Sequence, residues 1–217
     1  MTKTKARELL DVFAALLAAA VLAACSSTNP TNHTGAGPSA PSGATTIPGG
    51  PLEPTPIAPS PKIPKSQQEA QDSALRYLQK TVDGLPPGTV LDLSDTIGGS
   101  NLGCDDNYTG PGPGPTEFSL FANVIGPAGV KPAELIARAG ELWRSWGITV
   151  MERDGFEKPN QFGYFPDGYR IQIKAAYPPE YPPTIVATSP CFPGALRQDG
   201  LPVPKVIRQS PPTQPLR

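Results

Sequence analysis

The side chains best suited to chemistry in the middle of the chain are two consecutive carboxylates, Asp105 and Asp106, followed by Asn107. Their oxygens could bind Ca²⁺, or the two carboxylates could act as general acid and base in a hydrolase. However, consecutive spacing does not match the alternating ligand positions of an EF-hand loop. An exposed loop without a ligand is therefore the simpler interpretation, and we predict no metal ion and no cofactor there.

Histidine, the most common general base in enzymes, occurs once, at position 33. A segment rich in Pro, Ser, Thr and Gly surrounds His33, so we place it outside the folded part of the chain. The folded part then has no imidazole for a Ser-His-Asp or Cys-His mechanism, or for a histidine-bound metal ion. We therefore expect a protein that is not an enzyme, with carboxylate-based hydrolysis as the remaining catalytic alternative.

Aromatic residues concentrate in the last third of the chain, and two of them belong to the run Tyr-Pro-Pro-Glu-Tyr-Pro-Pro at residues 177–183. Proline keeps such a run extended and rigid, so its two rings are expected to be exposed. Four tyrosines form a candidate surface for a glycan, a peptide or an acyl chain: Tyr164, Tyr169, Tyr177 and Tyr181. Packing in the core and in a hairpin is the alternative for Tyr164 and Tyr169.

The charges give no indication of a nucleic-acid partner. The 18 Lys and Arg residues and 19 Asp and Glu residues leave a formal net charge of -1, and they are not gathered in blocks. Proline occurs 30 times and glycine 22 times in 217 residues, well above the usual frequency. Part of the chain is therefore predicted to remain outside any packed core.

Residues 1–24 have the organisation of an export signal. Three basic residues, Lys3, Lys5 and Arg7, precede an uncharged apolar run that ends in Leu-Ala-Ala-Cys. This ending resembles the lipobox of bacterial lipoprotein precursors. The resemblance implies that the signal is removed and that Cys25 becomes the N-terminus, with a diacylglyceryl group and fatty acids such as palmitate. An ordinary cleavage site beside an incidental cysteine is the alternative.

A polar segment, residues 25–64, follows the signal and contains no aromatic residue and only two charges, Glu53 and Lys62. It cannot form a core, so we interpret it as a disordered tether between the membrane and a domain. Residues 197–217 are also rich in proline and are interpreted as a loose tail.

Hydrophobic periodicity places a folded domain at residues 65–196. Ser66 and Glu69 have the spacing of a capping box, and apolar residues then recur with helical period up to Gly84. A second amphipathic helix begins at Pro132. Alternating or apolar runs predict strands at residues 89–93, 117–124, 148–152, 169–175 and 184–188. We predict an α+β two-layer sandwich, with an antiparallel sheet of four to five strands and both helices on one face.

Two cysteines, Cys104 and Cys191, remain once Cys25 is assigned to the anchor. Export places them in an oxidising compartment, where disulfides form and persist. We predict a disulfide between them, which closes a loop of about 88 residues and contributes about 4.5 kcal/mol in the chain-entropy model. Two unpaired thiols are the alternative.

The order of these features resembles a group of uncharacterised actinobacterial, especially mycobacterial, cell-envelope lipoproteins with the LppA-type layout. Besides the lipobox and the tether, the resemblance rests on four motifs: GCD at residues 103–105, WGITV at 146–150, DGYRIQI at 167–173 and ATSPCF at 187–192. It implies a lipid-anchored protein on the extracytoplasmic face of the cell membrane, and no reaction. We expect a domain that binds an unknown envelope protein, glycan or lipid. The alternative is a carrier or sensor that holds a hydrophobic ligand between its helices and its sheet.

Overall fold

The computed structural model of the protein describes residues 54–96 and 98–211. The export signal and Cys25 predicted from the sequence lie outside the described residues. Within these residues there are two α-helices, one short 3-10 helix and eight strands: α1 (Gln67–Gly84), β1 (Val90–Asp92), β2 (Gly99–Gly103), β3 (Thr116–Ile125), α2 (Pro132–Ser145), β4 (Thr149–Met151), β5 (Asn160–Tyr164), β6 (Arg170–Lys174), β7 (Thr184–Thr188), the 3-10 turn Gly194–Leu196 and β8 (Val206–Arg208).

All eight strands belong to one antiparallel sheet. Its order is β4-β5-β6-β7-β3-β1-β8, and β2 also pairs with β3. The ten-residue strand β3 is central, because β7 pairs along one of its edges while β2 and β1 share the other. On that shared edge, β2 is opposite residues 116–120 and β1 is opposite residues 123–125. The predicted α+β class with an antiparallel sheet and two helices is confirmed.

The prediction of four to five strands was wrong, because it missed β2, β5 and β8. β2 has the sequence Gly-Ser-Asn-Leu-Gly, which lacks the apolar alternation of a half-buried strand. It forms because the exposed edge of β3 offers five consecutive pairing positions. β8 is a three-residue strand in the proline-rich tail, and it pairs in register with β1.

The C-terminal segment also differs from the loose tail that its composition indicates. Ile207 of β8 is buried against the core. After the strand, the amide Nε2 of Gln209 donates to the carbonyl oxygens of Val82 at 3.0 Å and Leu85 at 2.9 Å, while its Oε1 accepts from the Gly88 N–H at 2.8 Å. Carbonyl groups at the end of a helix have no partners within the helix, so Gln209 satisfies the end of α1.

α1 begins at the predicted cap residue Ser66, with the Glu69 carboxylate bound one residue before it. The hydroxyl of Ser66 accepts a hydrogen bond from the Glu69 N–H at 3.1 Å, and the Glu69 carboxylate accepts one from the Lys65 N–H at 2.8 Å. The helix ends at Gly84, where a Cβ atom would lie 2.5 Å from a methyl carbon of Leu142 in α2. Glycine at this position therefore allows the two helices to pack closely.

Both helices cover the same face of the sheet, and packed side chains fill the layer between helices and sheet. The largest fully buried apolar side chains are Trp143, Phe192, Leu78, Leu91, Leu120, Leu135, Ile136, Ile171, Ile173 and Ile185. The indole N–H of Trp143 donates to the buried hydroxyl of Thr81 at 3.1 Å, so this polar group is satisfied inside the core.

The chain joins the domain before residue 65, where the sequence places the end of the tether. The backbone N–H groups of Ser60 and Lys62 donate to the carbonyl oxygens of Pro166 at 3.2 Å and Asp167 at 2.8 Å. Residues 54–64 therefore lie partly along the turn between β5 and β6, and the domain is longer at both ends than composition indicates.

Candidate functional site

A groove of about 280 Å³ lies on the face of the sheet opposite the helices. Strands β3, β5, β6 and β7 form its floor, and β2, the loop after β4 and the segment before α1 contribute to its sides. We call it the sheet-face groove. Both polar and apolar side chains line it: Thr55, Leu102, Glu117, Ser119, Phe121, Arg153, Phe156, Phe162, Tyr164, Arg170, Gln172, Val186 and Thr188.

Strand alternation and register align one row of four side chains across the floor. Phe121 of β3 is opposite Val186 of β7, Val186 is opposite Gln172 of β6, and Gln172 is opposite Phe162 of β5. Their strand neighbours, such as Leu120 in β3, point to the helices and are buried in the core. This row therefore provides an apolar floor that is interrupted by one amide.

A second row, two residues away from the first on each strand, is polar. It runs from Ser119 through Thr188 and Arg170 to Tyr164. The hydroxyl groups of Ser119 and Thr188 are hydrogen bonded to each other at 2.9 Å. The Tyr164 hydroxyl accepts a hydrogen bond from the Arg153 guanidinium at 2.7 Å. The groove thus places hydroxyl groups and a guanidinium beside an apolar floor.

Arg170, in the polar row, forms an ion pair with Glu117, and the two side chains are hydrogen bonded. The Glu117 side chain is only 19% exposed. Burial raises the pKa of this carboxyl above its usual range, and the neighbouring Arg170 guanidinium partly opposes that shift. Arg153, a second cationic side chain, also lines the groove.

Arg153 and Phe156 form the side of the groove that is nearest the N-terminal segment. The Phe156 ring centroid lies 4.9 Å from that of Phe162, and the Arg153 guanidinium carbon lies 5.8 Å from the Phe162 ring. Arg153 also donates to the Thr55 hydroxyl at 3.0 Å. The segment that connects the domain to the predicted anchor therefore contributes directly to the groove.

The predicted disulfide between Cys104 and Cys191 is present, with 6.3 Å between the two Cα atoms. It joins the end of β2 to the segment after β7, next to the start of β3. There, Thr116 and Phe192 exchange two backbone hydrogen bonds of 2.9 and 2.8 Å. The sulfur atoms and a Glu117 carboxylate oxygen all lie within 4.8 Å of one another. Since the sulfur atoms are bonded to each other, they offer no thiolate to a metal ion.

The consecutive carboxylates occupy the loop between β2 and β3, and all three side chains of the motif are exposed. Asp105 accepts a hydrogen bond from the Asn107 N–H at 2.9 Å, which is a local turn contact. Among the described residues, Asp105 and Asp106 do not converge with a third Asp, Glu, His or Cys side chain. The geometry of this loop gives no support to the calcium or hydrolase alternatives.

The structure does not bring the four predicted tyrosines together. Tyr164 lies in the sheet-face groove, whereas Tyr169 is buried on the helix side, 5.4 Å from the Tyr77 ring, and burial raises the pKa of its hydroxyl. Tyr177 and Tyr181 are 84% and 57% exposed in the loop between β6 and β7. That loop lies at the other end of β6 from Tyr164, which pairs with Arg170.

Sequence reasoning missed Glu117, Phe121 and Arg170 as members of a site. One signal was available, because Phe121 occupies a polar-face position of an amphipathic strand whose other face is apolar. β7 carries the same signal, since three consecutive residues, Ile185 to Ala187, are apolar. An apolar side chain on both faces of a strand indicates that the second face also has contacts.

Comparison with protein-family models, with curated proteins and with solved structures gives no match to this chain. Of residues 54–96 and 98–211, no helix has both the length and the hydrophobicity needed to cross a membrane.

Proposed function

We propose that the protein is a lipid-anchored component of the cell envelope whose domain binds another envelope component without catalysis. The observation that carries this proposal is the sheet-face groove. It combines an apolar floor, formed by Phe121, Val186 and Phe162, with the Arg170–Glu117 ion pair on the sheet face opposite both helices. Apolar surface with a few convergent polar groups is the usual composition of a binding site.

Binding is preferred to catalysis because of the groups that the groove contains. Residues 54–211 contain no histidine. Among the described residues, the carboxylate that lines the groove is that of Glu117, and it is hydrogen bonded to Arg170. A general base must reach the proton that it removes, and this carboxylate is already engaged.

The position of the N-terminal segment fits an anchor at Cys25. Thr55 lines the groove, and it lies 30 positions after Cys25. A chain of this length spans at most about 105 Å when fully extended. The groove would therefore remain within that distance of the acyl chains, close enough to meet partners in the same membrane.

The proposal is tested by placing a photo-crosslinking amino acid at Gln172, in the floor of the groove, in cells that make the full chain. The matched control carries the same amino acid at Glu141, which is exposed on α2. We expect a discrete crosslinked product from position 172 and not from position 141. Equal products from both positions, or none from position 172, would contradict a binding role for the groove.

A hydrophobic ligand is the second candidate, and it is favoured by the apolar row in the groove. The sequence-based version of this hypothesis placed the ligand between helices and sheet, but core side chains such as Trp143 and Leu78 fill that layer. We therefore place the ligand in the sheet-face groove. Native mass spectrometry of the protein extracted from its own membrane distinguishes the two candidates. A co-purifying lipid that Phe121→Ser displaces supports the carrier, and the absence of bound lipid contradicts it.

A further inference from the structure

A second cleft, of about 390 Å³, lies between the first turns of α1, strand β2 and the loop at residues 197–203. We call it the polar cleft. Its volume falls in the range of about 300–1,000 Å³ that is typical of small-molecule sites. It lies on the helix side of the sheet, and none of its lining residues belongs to the sheet-face groove. An inference about it is therefore independent of the function proposed above.

Gln71 of α1 lines this cleft and carries an acceptor that no donor among the described residues satisfies. The residue is 2% exposed, and its amide Nε2 donates to the Pro202 carbonyl oxygen at 2.6 Å. Its Oε1 is buried and receives no hydrogen bond from the described residues. Exchanging the amide oxygen and nitrogen would bring two carbonyl-type oxygens together, so the contact with Pro202 fixes the orientation.

Asn101 of β2 repeats the arrangement on the opposite wall. Its Nδ2 donates to the Asp199 carboxylate at 3.2 Å, which again fixes the orientation of the amide. Its Oδ1 is buried and, among the described residues, has no donor. A third amide oxygen, Oε1 of the buried Gln67, has only a long contact of 3.5 Å with the Gln198 N–H. The cleft is therefore lined by three residues whose amide oxygens have no donor among the described residues or only a long contact.

We infer that the polar cleft binds a neutral saccharide through its hydroxyl groups. Leaving buried acceptors without donors is costly, so a ligand that supplies two O–H donors gains more than the same hydroxyl groups gain at an exposed surface. The charged side chains of the cleft, Arg197 and Asp199, already form an ion pair, which favours a neutral ligand over an ionic one. Phe118 and Val203 line the cleft as well, and they provide apolar contacts for the C–H groups of a sugar ring.

The test uses the full chain in a detergent whose headgroup contains no sugar. The ligands are the methyl glycosides of glucose, mannose, galactose and arabinose, and binding is measured by saturation-transfer NMR. We expect transfer to at least one glycoside at millimolar concentration. Gln71→Met should weaken that binding by about three- to tenfold, as expected for one lost hydrogen bond. Gln68→Met is the matched control, because Gln68 is exposed on the same helix and lies outside the cleft.

The thermal stability of the same variants is measured beside binding, because Gln71→Met also removes the donor to the Pro202 carbonyl oxygen and should lower the melting temperature. Saccharide binding is therefore compared at a temperature at which the wild type and the variants are all fully folded. If Gln71→Met does not fold, Asn101→Leu provides the same comparison from the other wall. The inference is overturned if no glycoside receives transfer, which is the outcome for a cleft that holds only water. Unchanged affinity in a folded Gln71→Met or Asn101→Leu protein also overturns it.

Discussion

Replacing both Cys104 and Cys191 by serine removes the covalent link between the end of β2 and the segment after β7. The two residues are 87 positions apart. In the chain-entropy model, opening such a loop increases the entropy of the unfolded chain and lowers the free energy of unfolding by about 4.5 kcal/mol at 25 °C. The free energy of unfolding of a typical domain is about 5–15 kcal/mol, so the variant loses about a third or more of its stability.

The native fold should survive this change, because other contacts hold the same region. Thr116 and Phe192 exchange two backbone hydrogen bonds, and the Cys104 N–H donates to the Pro115 carbonyl oxygen at 2.9 Å. We therefore expect an unchanged far-UV circular dichroism spectrum and a lower urea midpoint. The free energy of unfolding of a small protein falls by about 1–3 kcal/mol per M urea, so the urea midpoint should fall by about 1.5–4.5 M.

The matched control for this prediction is the wild-type protein reduced with a phosphine. It should unfold at the same urea concentration as the double serine variant, since both lack the cross-link. A loss of less than about 1 kcal/mol in the double variant would refute the reasoning, because the loop-closure term would then not control stability.

Two further predictions concern the C-terminal segment and the groove. Deleting residues 205–217 removes β8 and should lower the free energy of unfolding by about 3–5 kcal/mol, from the buried Ile207 side chain and the lost hydrogen bonds. Deleting only 212–217 keeps those contacts and should have no such effect in the same urea titration. Because the pKa of Glu117 is raised in the folded state, its contribution to stability is complete below its unfolded pKa and is lost as the pH rises through the folded pKa. Glu117→Gln should therefore reduce the fall in stability just above pH 4.5, and a stability curve parallel to that of the wild type would contradict this.

The elements predicted correctly are those whose signals are local. Ser66 and Glu69 are three residues apart, and the apolar stripe of α1 is contained in one segment, so sequence alone gives both the start and the buried face of this helix. The pairing of Cys104 with Cys191 also required no geometry, because they were the two candidates left after Cys25. In contrast, β2 has no apolar alternation that would reveal it, and β8 forms only because the distant strand β1 offers it an edge.

The site was less predictable because it depends on register. Tyr177 and Tyr181 belong to one proline-rich run, but the loop that contains them lies at the other end of β6 from Tyr164. Phe121 and Phe162 are 41 positions apart (162 − 121 = 41), and they share a row only through the pairing of β3, β7, β6 and β5. Periodicity shows which face of a strand a side chain occupies, but it does not show which strands are neighbours.

The most direct test of the central claim is the intact mass of the protein isolated from the membrane fraction of its own cells. Our account predicts the mass of residues 25–217 plus a diacylglyceryl group and fatty acids, and a Cys25→Ala protein that leaves the membrane fraction. A protein that keeps residues 1–24, or one that begins near Cys25 with an unmodified thiol, would contradict the proposal of a lipid-anchored envelope protein.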